Sequence, residues 1–355
     1  MRSFTFSMLL AIGITVSTCG TSQDNQQETD QEDTATGKTT DTETETESEE
    51  MESDSEPIIL LDTDYETDPA VISLNGACPE GRRLGGFSVD MNDASAPGYT
   101  VVSGTVTDIP NPLSVPEVAY EAGDCRLLRK RRLVCDPACD SGTVCGLDET
   151  CIPAPTEEDL GIVAIQGLAE TVIMTPMQPG NSYFYTKLPH PGFAPDRVIH
   201  LSSTDGFMGE MELFGVGALP LEIAEETVVF AENTPLEIAW TAANDDARSV
   251  LHIEINIDQH GGSPVNLVCD FPDNGAATIP QETINAFIKA GVTGFPQGTA
   301  DRRTMDHMET GDGCADFIVR SLRTLSIEVT GYIPCTSNAD CTAPATCNLE
   351  IQQCS

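Results

Sequence analysis

The sequence predicts an all-β protein: two antiparallel β-sandwich-like units with small disulfide-rich modules and one short helix, behind a disordered N-terminal tether. Three observations carry that prediction. Short runs rich in β-branched and aromatic residues, such as "YTVVSGTVTDI", "LEIAWTA" and "LSIEVTGYI", are separated by Gly, Pro, Asn and Asp, the pattern of many short strands joined by turns. Twelve cysteines lie beyond residue 70. Before them, a short apolar run gives way to a long tract with almost nothing apolar.

The first residues read as an export signal. Arg2 gives a positive start, and Phe6 to Val16 form an apolar stretch of signal-peptide length, too short for the roughly 20 apolar residues that span a bilayer. Val16-Ser17-Thr18-Cys19 resembles the lipobox of bacterial lipoproteins, which implies that residues 1–18 are removed and that Cys19 is lipidated. Each buried methylene adds about 0.8 kcal/mol, and stable attachment takes two or more acyl chains. Cys19 is the thirteenth cysteine, and lipidation gives the odd thiol a role. In lipoproteins, Gly20 rather than Asp after the cysteine implies sorting to the outer membrane. The expected location is therefore exported, at the outer membrane or cell surface, with the lipid anchor as the contact to the membrane.

Residues 19–70 form the lipidated cysteine and an acidic linker. Between 21 and 56 there are fourteen acids and one lysine. Such a stretch cannot bury enough apolar surface to offset chain entropy, and its like charges extend it. The whole chain carries −40, of which about −27 falls outside that segment. An acidic body is repelled by phosphate backbones, so nucleic acid is excluded as a partner.

The body divides on this reading into a β unit at 71–134, a four-cysteine module at 135–155, a β-sandwich at 156–334 and a second four-cysteine module at 335–355. The clearest strand is "LHIEINID": Leu251, Ile253, Ile255 and Ile257 alternate with His252, Glu254, Asn256 and Asp258, one face buried and one polar. Gly261-Gly262 then turns the chain into "SPVNLVC", its hairpin partner. One helix is expected in "TIPQETINAFIKAG". Pro280 suits the first turn, Ile284, Phe287 and Ile288 share a face, Lys289 complements the C-terminal dipole and Gly291 ends it.

In an exported chain the even cysteine set reads as six disulfides. Cys135, Cys139, Cys145 and Cys151 form one cluster, and Cys335, Cys341, Cys347 and Cys354 the other. Four cysteines can also bind zinc, but an oxidising compartment favours disulfides. Each cluster allows three pairings, with first-to-third and second-to-fourth the working choice. Cys78 with Cys125, and Cys269 with Cys314, are expected each to staple its own β unit. The two clusters resemble the repeated modules of cysteine-rich surface lipoproteins of myxobacterial type.

Several residue sets are candidate sites. If the strands at 236–241, 248–258 and 265–269 run up, down and up, Asp245, Asp246, Asp270 and Asp273 converge at one end and offer hard oxygen ligands for Ca2+. No other cofactor is implied. "DTDYETD" at 62–68 is similar to a Ca2+ loop but lacks the central Gly. The polar face His252, Glu254, Asn256 and Asp258, with His260, could hold a metal ion, though any half-exposed strand alternates in this way. Arg126, Arg129, Lys130, Arg131 and Arg132 form a basic island in an acidic chain, suited to the acidic tail, an anionic polysaccharide or a neighbouring protein. Tyr183 and Tyr185 share a strand face able to stack a sugar ring. No catalytic motif is present: there is no Gly-x-Ser-x-Gly, His-Glu-x-x-His, phosphate loop or dinucleotide fingerprint. The expected class is a non-catalytic surface or envelope protein for adhesion, display or binding of a glycan or surface protein. A secreted hydrolase with an unrecognised site and a structural envelope component are the alternatives.

Overall fold

The computed structural model describes residues 72–93, 97–225, 227–243, 248–257 and 265–355. Cys19, the acidic linker and "DTDYETD" lie outside them, as do Asp245, Asp246, Asp258 and His260. The described chain is all-β with disulfide-rich modules and one α-helix.

In chain order the strands are β1 (Arg83–Asn92), β2 (Tyr99–Val106), β3 (Glu117–Ala122) and β4 (Cys125–Arg129), followed by the short pair β5 (Thr143–Cys145) and β6 (Cys151–Pro153). Next come β7 (Val163–Gln166), β8 (Val172–Met174), β9 (Tyr183–Tyr185), β10 (Val198–Ser203), β11 (Met211–Val216), β12 (Thr227–Phe230) and β13 (Leu236–Ala239). The chain continues through β14 (Val250–Asn256), β15 (Val265–Pro272), β16 (Ala276–Ile279) and helix α1 (Gln281–Ala290). It ends with the long strands β17 (Gln297–Glu309) and β18 (Cys314–Val329), then β19 (Cys347–Asn348) and β20 (Gln353–Cys354).

One large sheet organises the body. Its order is β3-β4-β15-β14-β17-β18-β1-β2-β9, with β12 added beside the far end of β18. The period-two pattern at 251–257 does what it predicts: Leu251, Ile253, Ile255 and Ile257 are buried, and β14 pairs antiparallel with β15. Strands β1 and β18 are parallel neighbours, Arg83 opposite Cys314 through Asn92 opposite Leu322. This pairing sets the first strand of the body beside the last long one, at the centre of the sheet. The register shifts between Arg83 and Gly85. Gly85 sits at φ +136°, and a Cβ there would meet the Thr105 carbonyl oxygen at 2.1 Å, so only glycine fits the bulge.

Most of the buried apolar side chains of this sheet project from one face, into two apolar clusters, while Val268, Asp301 and Asp316 are buried on the other. Over β1, β2, β9 and the first half of β18, the sheet β11-β10-β7-β8 closes a core containing Phe87, Val89, Tyr183, Ile199, Leu213 and Phe317. Over β4, β15, β14 and the second half of β18, the β13–β16 pair and α1 close another, with Trp240, Leu251, Ile253, Phe271, Phe287 and Ile327. Helix α1 begins after Pro280, buries Ile284 and Phe287 and ends at Gly291, whose φ of +115° needs no Cβ. Between the clusters runs a polar seam on β17 and β18. The Thr304 hydroxyl exchanges hydrogen bonds with the Val216 backbone, Ser321 Oγ accepts from Leu221 N–H, and Asp306 Oδ2 accepts from Phe214 N–H. These contacts satisfy backbone groups where one cover gives way to the other.

Two cores are therefore present, but neither matches a continuous stretch of chain. Segment 71–134 supplies β1 and β2 to one core and β4 to the other, and both stand on the sheet that β14–β18 complete. The expected staples are corrected accordingly. Cys78 bonds to Cys314, not Cys125, and Cys269 bonds to Cys125, not Cys314. Pairing by nearness in sequence fails because β1 runs beside β18 and β4 beside β15, with Cys125 directly opposite Cys269. Both four-cysteine modules follow the first-to-third, second-to-fourth pattern: Cys135–Cys145 with Cys139–Cys151, and Cys335–Cys347 with Cys341–Cys354. Each ends in a short antiparallel pair, with Cys145 opposite Cys151 and Cys347 opposite Cys354, though neither opposed pair is bonded to itself. Among the described residues no helix is long and apolar enough to cross a membrane.

Candidate functional site

The face of the large sheet opposite the two cores is polar and only partly covered. Alternation along the strands places Arg126 and Leu128 of β4 there, with Asn266, Val268 and Asp270 of β15 and His252, Glu254 and Asn256 of β14. Residues 77–80 and 113–116 stand beside this face, and together they enclose a groove of about 820 Å3. A second hollow of about 640 Å3 shares Arg83 and Ile318 with the first and continues across β18, β1, β2 and β9. Its floor is a cross-strand row in register: Ile318 opposite Ser88, Ser88 opposite Ser103, and Ser103 opposite Phe184.

Charges on this face are ordered. His252 Nδ1 lies 2.7 Å from Asp270 Oδ1, and Arg126 Nη2 donates to Asp270 Oδ2 at 3.3 Å. Burial by itself pushes the Asp270 carboxyl up. The His252 hydrogen bond and the charges of His252, Arg303 and Arg126 outweigh it and hold the group below the usual carboxylate range. Arg303 forks onto Asp301, and Arg320 onto Asp90 at 2.7 and 2.9 Å. Arg83 meets Asp316 at 2.6 Å. Burial raises the Asp316 carboxyl; the Cys78 N–H and the Arg83 charge oppose that without cancelling it.

Positive charge borders this surface, five of the basic residues being at the β4 end. Arg83, Arg126, Arg129, Lys130 and Arg303 line the larger groove, and Arg131 and Arg132 line an adjoining hollow of about 550 Å3 that shares Arg129 and Lys130. Seven of the chain's seventeen basic residues thus border one continuous surface. Arg129 is held by Glu117 in a bidentate pair at 2.7 and 3.0 Å. Arg126 keeps only long contacts, 3.3 Å to Asp270 and 3.5 Å to Glu80. Among the described residues, the Arg131 Nε–H is buried without a hydrogen-bond partner, as is Asn266 Oδ1. Asn266 Nδ2 donates to Glu254 at 2.8 Å, and a carboxylate can only accept. That contact fixes the amide with its oxygen unsatisfied.

The sequence-predicted residues fall into clear groups. The basic island, the described part of the polar face (His252, Glu254 and Asn256) and Asp270 meet in one groove. Asp273 does not join them. It is buried with Arg302, whose Nε and Nη2 both reach it, and it also accepts from Trp240 Nε1–H and Ser249 Oγ–H, each at 2.7 Å. Burial pushes its carboxyl up, but Arg302, Ser249 and Trp240 together bring it below the ordinary value. With both oxygens engaged, Asp273 has no lone pairs directed to a metal. Asp270 accepts from Arg126 and is paired with His252, and Asp245 and Asp246 lie outside the described residues, so of the Asp245, Asp246, Asp270 and Asp273 set the structure describes two members, held by separate partners. Of the two loops expected to share one end, 243–248 lies mostly outside the described residues, and Asp273 of the other touches Trp240 and Ser249, which flank it in sequence.

The aromatic pair is also corrected. Tyr183 is buried against Phe87, and its hydroxyl accepts from Leu160 N–H and donates to Gly161 O. Tyr185 donates to Glu170. The exposed ring is the one between them: Phe184 is 52% exposed and opens onto the second hollow. In "SYFYT" the tyrosines draw the eye, and only the register shows that the odd-numbered positions face the core. Among the described residues a hydroxyl–imidazole–carboxylate alignment exists, with Thr100 Oγ1 3.2 Å from His190 Nδ1 and His190 Nε2 2.8 Å from Asp93. Thr100 is 1% exposed and already accepts from Gly192 N–H, so no substrate reaches its oxygen.

No family model matches the chain, and no curated protein matches it. Among solved structures, the chain is similar to the FN1–FN3 domains of chicken CNTN1 at 9% identity, covering 63% of this chain and 70% of that one, with a TM-score of 0.15. At that TM-score the likeness carries no argument. The six disulfides are consistent with an extracellular or surface protein, because such bonds persist in oxidising compartments.

Proposed function

We propose that this is an exported, lipid-anchored surface protein whose body is a non-catalytic binding module, with the groove across the large sheet as its binding site. The observation that carries the reading is the concentration of basic side chains on one concave polar face of a chain with net charge −40. Scattered lysines and arginines need no explanation, but a cluster retained against the overall charge does. The groove also has the size and the mixed apolar and polar lining of a ligand cleft. Anchorage rests on Val16-Ser17-Thr18-Cys19 and on the acidic linker after it, long enough to hold a body away from the membrane.

Protease treatment of intact cells tests the anchored, outward-facing placement. Wild-type protein should be degraded on the cells, and Cys19→Ala should appear in the medium as an intact body. Protection of the wild-type body, with export verified, would turn the reading toward an envelope role. Retention of the intact variant in the membrane fraction would remove the lipid anchor.

A further inference from the structure

We infer that the groove takes an anionic polysaccharide, a chain of acidic or sulfated sugars laid across the strands from β4 to β9. The inference rests on the reading of the groove as a binding site and assigns its ligand class. Three features point to it. At the β4 end, Lys130 and the loosely held Arg126 face the groove, and the Arg131 Nε–H beside them is buried without an acceptor. These are donors for carboxylate or sulfate oxygens. In mid-groove, the buried Asn266 Oδ1 lacks a donor, which a sugar hydroxyl supplies and a carboxylate does not. At the β9 end, the exposed Phe184 ring stands at the end of the Ser88–Ser103 row, an apolar plate beside hydroxyls. Sugar rings present that same pairing of apolar faces and hydroxyl edges.

The direction of the groove favours a glycan over an acidic peptide. An extended peptide recognised by a sheet usually adds to an edge, where backbone N–H and C=O groups are unpaired. Here β15, β14, β17, β18, β1 and β2 are interior strands whose backbone groups are engaged on both sides, so the floor offers side chains alone. Strands about 4.8 Å apart make the path from β4 to β9 roughly 30 Å long, enough for several sugar units in series.

The test uses the full chain in detergent, titrated with polygalacturonate, a sulfated dextran, unmodified dextran and polyaspartate, with binding read by calorimetry. The inference predicts binding of at least one anionic glycan and weaker or no binding of dextran and polyaspartate. Arg126→Ser combined with Lys130→Ser should weaken the anionic glycan tenfold or more and flatten its salt dependence. Phe184→Ala should weaken it severalfold at every salt concentration. Lys130 and Phe184 are exposed and Arg126 is half-buried, and unchanged thermal melting verifies that folding is preserved. Equal binding of polyaspartate with no effect of Phe184→Ala would replace the glycan by an acidic peptide. Binding of neutral dextran alone, lost in Phe184→Ala, would overturn the anionic assignment and leave the groove as a binding site. Failure of all four probes, with groove variants still retaining cell-envelope polysaccharide as well as wild type, would overturn both.

Discussion

At the scale of single residues, Arg302 and Asp273 are the most consequential pair. Arg302 is 1% exposed and also donates to the carbonyls of Leu219, Pro220 and Thr241, so every charged edge is hydrogen-bonded. Removing one partner of such a pair strands the other in low dielectric and costs about 3–5 kcal/mol. Arg302→Leu and Asp273→Asn should each lower unfolding free energy by about that amount in denaturant titration. The Asp273 carboxyl is held below its ordinary value, so its stabilisation is complete above the unfolded carboxylate pKa, about 4, and is lost as pH falls through the lower folded value. Acid unfolding of Asp273→Asn should therefore be less steep below about pH 4 than that of the wild type. Neither role is legible in sequence. "TADRRTMDH" reads as an exposed charged segment, and only the two covers meeting over β17 turn alternate residues inward.

At the scale of elements, the strands best foreseen are those whose pattern is local. The alternation at 251–257, the antiparallel pairing of that strand with the next and the stop at Gly291 depend on neighbours in sequence, and each appears where expected, while the turn at Gly261-Gly262 lies outside the described residues. The parallel pairing of β1 with β18 joins segments more than two hundred residues apart, and no local pattern encodes it. The crossed disulfides follow from that pairing. Cys125–Cys269 ties facing residues of β4 and β15, and Cys78–Cys314 ties the chain before β1 to the start of β18. Loops this long give about 5 kcal/mol each in the chain-entropy model, less where the other bridge already restricts the chain. Cys125→Ala with Cys269→Ala should lower the Tm markedly. Removing Cys341 and Cys354 together, in the C-terminal module, should leave the melting of the main body nearly unchanged. Equal losses from both deletions would mean that the module and the sheet unfold as one unit.

At the scale of the whole molecule, charge and topology act together. Most of the protein repels anions, and one face gathers the basic side chains that attract them. The basic island, the polar strand face and Asp270 were each visible in sequence as separate weak features. Their convergence was not, because it depends on β15 lying between β4 and β14. The most direct measurement is hydroxyl-radical footprinting of the full chain with and without polygalacturonate. Leu113, Met177 and Phe184 are exposed along the groove, and Ile333 and Leu349 are exposed at or within the C-terminal module, outside the groove lining. Ligand should reduce labelling of the first three and leave the last two unchanged. Protection of Ile333 and Leu349, with Leu113, Met177 and Phe184 labelled as in the free protein, would show that the large sheet's open face is not where this protein binds.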